Sequence, residues 1–227
     1  MPLHPLDRPV WHALTSRQAH LALGDARALR FDPAYGLFAA AADPADADAV
    51  LALVPETGAI GLVEAGRPAL PAGLVTKPAL CNQMIADAVL PGAARLDVVA
   101  LDDGDAAEML ALATLTRPGP FFARTHRLGD FLGVKVDGRL AAMAGERLKL
   151  SDASLGGFTE VSGVCTHPDF RGRGFAGGLM RIVAERIVAR GETPFLHVYA
   201  DNARAIALYE TLGFRFRTAM YFILVSR

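Results

Sequence analysis

A chain of 227 residues, 52% hydrophobic and 21% charged with a formal net charge of −1, has room for one large or two small domains and a sizeable core. That balance excludes a disordered chain and argues against a general nucleic-acid binder, which needs a strongly basic face. The two cysteines, Cys81 and Cys165, lie far apart without a CxxC pattern, so neither a disulfide framework nor a structural zinc site is expected, and a reducing compartment fits. The opening "MPLHPLDRPVWHAL" lacks the basic start and continuous apolar core of a signal peptide, and no run approaches the roughly 18 apolar residues that span a membrane. The expectation is a cytoplasmic protein with neither membrane nor nucleic acid as partner.

Residues 1–94 hold short apolar runs ("YGLFAAAA", "AVLALV", "AIGLVEA") separated by Pro, Gly and Asp; at that length strands and buried helical pieces cannot be told apart. The stretch "ALCNQMIADAVLPG" is open to the same two readings, and a helix in it ending near Leu90 would stop before Pro91-Gly92, which marks a boundary. Residues 1–94 are thus expected as a smaller N-terminal domain without a catalytic motif, and 95–227 as a second domain.

Beyond the boundary the signals sharpen. "RLDVVALDD" (95–103) reads as a strand, and "DAAEMLALATLT" (105–116) as a helix with Asp105 at its start and Pro118 past its end. "FLGVKV" and "RLAAMAGERLKL" flank Asp137-Gly138, a dipeptide suited to a two-residue hairpin turn. "FTEVSGVCT" (158–166) adds another strand, in which Gly163 suggests a bulge. Phe175, Leu179, Ile182, Val183 and Ile187 then form one helical stripe ended by Gly191. "PFLHVYA" reads as a strand, Asn202 to Leu212 as a short helix, and "FRFRTAMYFILV" as the last strand. The order is β, α, three β, α, β, α, β. The apolar "AMYFILV" calls for cover from a neighbouring strand or another subunit, which leaves a dimer open.

The stretch "THPDFRGRGFAGG" (166–178) lies between a strand and the amphipathic helix. A helix N-terminus presents unpaired N–H groups and the positive end of the dipole. Gly172, Gly174 and Gly177 allow a phosphate close to the backbone, while Arg171 and Arg173 add charge. The same glycines satisfy GxGxxG, with Asp201 ending the next strand where a dinucleotide fold has its ribose-binding acid. Context opposes that nicotinamide-binding oxidoreductase reading, because "HPDFR" separates strand from glycines and an antiparallel meander precedes both.

"VCTHPDFRGRGFA" resembles the acetyl-CoA-binding motif of the GNAT superfamily, with Arg171, Gly174 and Ala176 filling its pattern. "NARAIALYETLGF" (202–214) is similar to that superfamily's second signature through Asn202, Ala205, Tyr209, Glu210, Gly213 and Phe214. The resemblance covers 95–227. It implies an α/β (α+β) GNAT fold, a mixed and mostly antiparallel sheet flanked by helices, and by analogy a degenerate GNAT-like half in 1–94, as in a bacterial branch with an extra N-terminal domain.

The resemblance also implies an enzyme that moves an acetyl group from acetyl-CoA, its co-substrate, to a primary amine of a small molecule or peptide, without a metal. Backbone amides from Arg171 through Gly172, Arg173, Gly174 and Phe175 to Ala176 would take the CoA pyrophosphate, and Val164, Cys165 and Thr166 would pair with pantetheine. Tyr209 would protonate the leaving thiolate. On strand alternation Glu160 shares a face with Ser162 and is a candidate base, or else an exposed carboxylate paired with an arginine; Glu146 is the second candidate. Asn202 binds the CoA end, caps the second helix, or both. His167 is expected in a loop or capping role, Cys165 as a small buried residue, and His197 as a satisfied core group. The acceptor site is expected between the meander, "RPGPFFARTHRLG" and the N-terminal domain, with Phe121 and Phe122 lining a pocket or filling the core. A non-catalytic acyl-CoA-binding module is the alternative of a different class.

Overall fold

The computed structural model describes residues 4–70, 72–92 and 96–227. Its centre is an eight-stranded sheet. The N-terminal part contributes β4 (Ile60–Glu64) and β5 (Val75–Ile85). The rest supplies β6 (Val99–Leu101), β7 (Phe131–Val136), β8 (Arg139–Asp152), β9 (Gly156–Thr166), β10 (Glu192–Tyr199) and β11 (Arg215–Ser226), in the spatial order β4-β11-β5-β10-β9-β8-β7-β6. A separate three-stranded sheet joins β1 (Ala22–Gly24), β2 (Ala28–Phe31) and β3 (Ala39–Ala41). Among the described residues five α-helices flank the sheets: α1 (Pro9–Thr15), α2 (Ala47–Leu53), α3 (Ala106–Thr116), α4 (Phe175–Ala189) and α5 (Ala203–Thr211). The α/β class with a mixed, mostly antiparallel sheet is as expected, β9 and β10 being parallel and the other neighbours in the large sheet antiparallel.

Local chemistry explains the meander. Asp137 and Gly138 take φ of 50° and 77°, the left-handed pair that lets a two-residue turn follow the twist of its strands, and so set β7 against β8 from Val136↔Arg139 onward. In α4 the buried Leu179, Met180, Val183, Ala184 and Ile187 face the sheet, and Gly191 beyond the helix has φ of 74°.

One open reading is decided and two of the expectations change. "ALCNQMIADAVLPG" is mostly strand and not a helix: β5 pairs with β10 from Tyr199↔Cys81 to Phe195↔Ile85 and with β11 along its whole length. Pairing on both sides overrides the helical leaning of its Ala, Leu and Met residues. The expected boundary near Pro91-Gly92 does not divide the sheet, since β5 lies between two strands of the C-terminal part. The apolar β11 finds its cover within the chain, between β4 and β5. The strand expected over 95–103 narrows to Val99–Leu101, with Arg95 outside the described residues.

The large sheet buries both faces. On one, Leu179, Met180 and Val183 of α4 pack with Leu196 and Val198. On the other, Leu6, Val10 and Leu14 at and around α1 pack with Phe38, Phe195, Met220 and Phe222. Alternation along β10 sends Leu196 and Val198 to the first face and Phe195 to the second.

Candidate active site

β9 and β10 are paired only from Glu192↔Gly157 to Phe195↔Glu160. Beyond that point β10 keeps only its pairing with β5 on its other edge, and the remainder of β9 has no partner on that side among the described residues. The parting is reinforced by a bulge: β8 pairs Met143 with Cys165 but Gly145 with Ser162, so β9 carries one extra residue there. Gly163, with φ of 64°, occupies it. The bulge is where the sequence places it.

The gap opens a cleft of about 830 Å³ counting the open solvent at its mouth. It passes through the sheet. Val164, Met180, Leu196 and Tyr209 line it on the α4 face, and Phe38, Cys81, Arg147, His197 and Phe222 on the α1 face, with Pro118, Gly119 and Pro120 beside them. His167 N–H donates to Ala141 C=O at 2.8 Å; by antiparallel alternation Cys165 also faces β8, which leaves the N–H and C=O of Val164 and Thr166 directed to the open side.

The glycine and arginine turn follows at once. Gly172 and Gly174 take φ of 80° and 76°, a region L-residues rarely adopt. The first intrahelical bond of α4 runs from Gly178 N–H to Gly174 C=O, so the N–H groups of Phe175 and Ala176 are open to an anion. The Arg171 N–H is not, being engaged by Pro168 C=O at 3.3 Å. Arg171 and Arg173 have no ion-pair partner among the described residues, and the Arg173 guanidinium stacks 5.2 Å from the Phe170 ring centroid. The third glycine, Gly177, is a packing position, since a Cβ there would meet Leu208 Cδ1 at 3.3 Å.

Tyr209 and Asn202 both line the cleft. Asn202 Oδ1 accepts from Ala205 N–H at 3.2 Å and caps α5, so capping and cleft exposure coexist. Burial pushes the Tyr209 hydroxyl above the ordinary phenol range, which keeps its proton in place at neutral pH. His167 caps the short turn Pro168–Phe170, accepting from Asp169 N–H at 3.3 Å. Phe121 packs edge-on to Phe131, ring centroids 5.8 Å apart, and serves the core.

Both candidate bases are corrected by their surroundings. Glu160 has no exposed surface and does not line the cleft. Its carboxylate is forked by Arg147 at 2.8 and 2.7 Å and accepts from His197 Nδ1 at 2.8 Å. Burial opposes ionisation, but Arg147 and His197 outweigh it and hold the pKa at about 2. Such a carboxylate does not collect a proton from an amine near neutral pH. Glu146, also buried, binds Arg190 at 2.6 Å and Lys149 at 2.7 Å near the C-terminal end of α4, away from the cleft.

Sequence reasoning missed Arg147 and the cleft-side position of His197. A second bulge explains Arg147: β8 pairs Glu146 with Val161 but Lys149 with Thr159, so Arg147 and Leu148 together oppose Glu160. His197 Nε2 lies 3.0 Å from Gln83 Nε2, and Gln83 in turn donates to Leu6 C=O and accepts from Arg217. The imidazole is satisfied, as expected, yet one edge borders the cleft.

The oxidoreductase reading does not survive this geometry. An antiparallel meander precedes the glycines, and Asp201 is exposed in the turn before α5.

A family model described as FR47-like protein matches residues 132–223. A crystal structure assigned to the GNAT family of acetyltransferases, from Novosphingobium aromaticivorans, is 48% identical and superposes with a TM-score of 0.92 over 99% of both chains. A GCN5-related N-acetyltransferase from Kribbella flavida, 18% identical, shares the fold with a TM-score of 0.60 over 95% of this chain and 91% of that one. Among curated proteins, a ribosomal protein bS18-alanine N-acetyltransferase of Salmonella typhimurium is 38% identical over 84 residues, 37% of this chain and 53% of that protein. The chain spans about half the length of the curated relatives it matches.

Proposed function

The chain belongs to the GNAT family of acetyltransferases, and from that premise we propose that it transfers an acetyl group from acetyl-CoA to a primary amine by direct attack on the thioester. The observation that carries the reading is the parting of β9 and β10 beyond Glu160, directly before a turn with open N–H groups and free arginines. The residues present fit acetyl-CoA. Phe175 and Ala176 N–H groups with Arg171 and Arg173 suit a pyrophosphate, and the unpaired edge of β9 at Val164 and Thr166 suits an amide-bearing arm.

Bound acetyl-CoA supplies the activated acetyl group. The chain's own share is positioning and proton control. Val164 and Thr166 orient the arm by strand-like hydrogen bonds, while Met180, Leu196 and Val198 exclude water from its path. Tyr209, protonated and half-buried on the same face, stands as the proton donor to the departing thiolate. The amine loses its proton to solvent or a bound water, because neither Glu160 nor Glu146 is free to take it. The Salmonella typhimurium relative is named for an alanine amine of a ribosomal protein, which supports a peptide as acceptor.

Thermal unfolding with acetyl-CoA, CoA and NAD tests the reading, since a ligand bound only by the folded state raises stability by mass action. Stabilisation is expected from both CoA species, not from NAD, and is expected to vanish in Gly174→Glu. Tyr209→Phe is expected to keep that shift while lowering amine-dependent thiol release about 10²–10⁴-fold. No shift with either CoA species removes the reading; an unchanged rate in Tyr209→Phe removes the proton-donor role.

A further inference from the structure

The α1-side end of the cleft has a composition that restricts what can enter it. Among the described residues no aspartate or glutamate lines the cleft. The carboxylate behind its wall, Glu160, is already shared by Arg147 and His197. An acceptor with several ammonium groups would bring charges that find no counter-ion there, and a buried unpaired charge is costly. The rest of that wall is largely apolar, with Phe38, Val63, Cys81 and Phe222 beside the His197 imidazole and the Tyr199 ring.

Arg147 is the permanently charged group of this lining among the described residues. Its Nε and Nη2 are fixed on Glu160, and its guanidinium lies 4.6 Å from the Phe38 ring centroid. Nη1 has no protein partner among the described residues and is not sealed from solvent. A fork clamped on one edge and stacked on one face presents its remaining donor in a fixed direction. A cation at that place also favours the neutral form of a nearby amine, the form that attacks.

Building on the acetyl-transfer reading above, we propose that the acceptor is an amine with an apolar body and a carbonyl or carboxylate oxygen next to the amino group, and that Arg147 recognises this oxygen. A free apolar amino acid and the first residue of a peptide share that chemistry; polyamines and aminoglycosides lack it. Arg147 is thereby the specificity-determining residue at the acceptor end.

Initial rates of thiol release test this with leucine, leucyl-glycine, isoamylamine (leucine without its carboxylate) and spermidine. Leucine or leucyl-glycine is expected to exceed isoamylamine by at least about tenfold in kcat/KM, the size of one charge-assisted hydrogen bond, with spermidine at background. The ratio of leucine to leucyl-glycine separates free amino acid from peptide. Because Arg147→Met alone strands Glu160, the double variant Arg147→Met with Glu160→Gln is the informative one. It is expected to raise KM for the preferred acceptor at least about tenfold while keeping the thermal shift with acetyl-CoA. Isoamylamine or spermidine used as well as the better of leucine and leucyl-glycine, an unchanged KM in the double variant, or no turnover of any of the four with the acetyl-CoA shift intact would each overturn the proposal alone. Loss of that shift in the wild-type protein would remove the acetyl-transfer reading and this inference with it.

Discussion

Glu160 is held between a guanidinium and an imidazole without contact with water, so its proton affinity is a contest between burial and its two partners. The partners win, and the folded-state pKa of about 2 lies below the ordinary value of 4.5. A depressed carboxylate stabilises the fold above the unfolded pKa and loses that contribution as pH falls through the folded one. The Glu160 share is therefore complete above about pH 5 and fades toward about pH 2. Glu192, where burial is likewise outweighed, by Arg17, Thr159 and Arg190, and Asp103, bonded to Arg127 and His126, sit at about 2 as well, so the acid slope has other contributors. Glu160→Gln is expected to cost about 2–3 kcal/mol at neutral pH, because the partly buried Arg147 loses its carboxylate counter-ion. Denaturant midpoints measured down the acid range are expected to fall less steeply in the variant than in the wild type. Equal slopes would show that the ion pair is not what holds Glu160 ionised. The sequence offers Glu160 as a strand carboxylate pointing toward a site, but hides that it is already taken. Arg147 reaches it only because a bulge sets two residues of β8 opposite one of β9, and no local pattern announces that register.

At the level of elements, β9 is shaped by one glycine. Gly163 has φ of 64°, and a Cβ there would lie 2.8 Å from Phe131 Cε1, so both the backbone and the neighbouring ring resist a side chain. Left-handed backbone costs an L-residue about 1–2 kcal/mol, and Gly163→Ala is expected to lower Tm by about 2–8 °C in a domain of this size. Gly138→Ala supplies the comparison: its φ of 77° lies in the β7–β8 turn, with open space around a Cβ. A similar loss of Tm is expected there with an undiminished response to acetyl-CoA, whereas Gly163→Ala is expected to shrink that response by flattening the strand that parts from β10. Equal responses in the two variants would separate the bulge from ligand binding. Both glycines are legible in the sequence because their signals are local: a dipeptide between two strands, and a glycine inside one. β5 is not legible. Its Ala, Leu, Gln and Met residues favour a helix, and what makes it a strand is pairing to Phe195 and Arg215, more than a hundred residues away.

Across the whole molecule the same long-range pairing decides how the chain is divided. The two motifs fall in the C-terminal part and carry the family resemblance, which makes 95–227 look self-sufficient. The sheet order says otherwise. β11 has β4 on one side and β5 on the other, and β10 has β5 beside it. Removing the N-terminal part would leave the 12-residue β11 without either neighbour and bare one edge of the 8-residue β10, while uncovering Met220, Phe222 and Ile223, all buried in the full chain. Rows of unpaired backbone groups beside apolar side chains favour association with other chains over folding. A fragment covering residues 96–227 is therefore expected to lack a cooperative thermal transition and to aggregate, and co-expression with residues 1–92 is expected to restore a complex that unfolds cooperatively. Circular dichroism and size-exclusion chromatography check this. A monomeric fragment that unfolds cooperatively and is stabilised by acetyl-CoA would show that the C-terminal part closes its own sheet. The first 94 residues would then be an accessory to the α1-side wall. If the fragment fails and the complex forms, those residues are part of the catalytic sheet itself, and Phe38, Val63 and Cys81 reach the acceptor end because the strands that carry them or lie next to them are needed for folding.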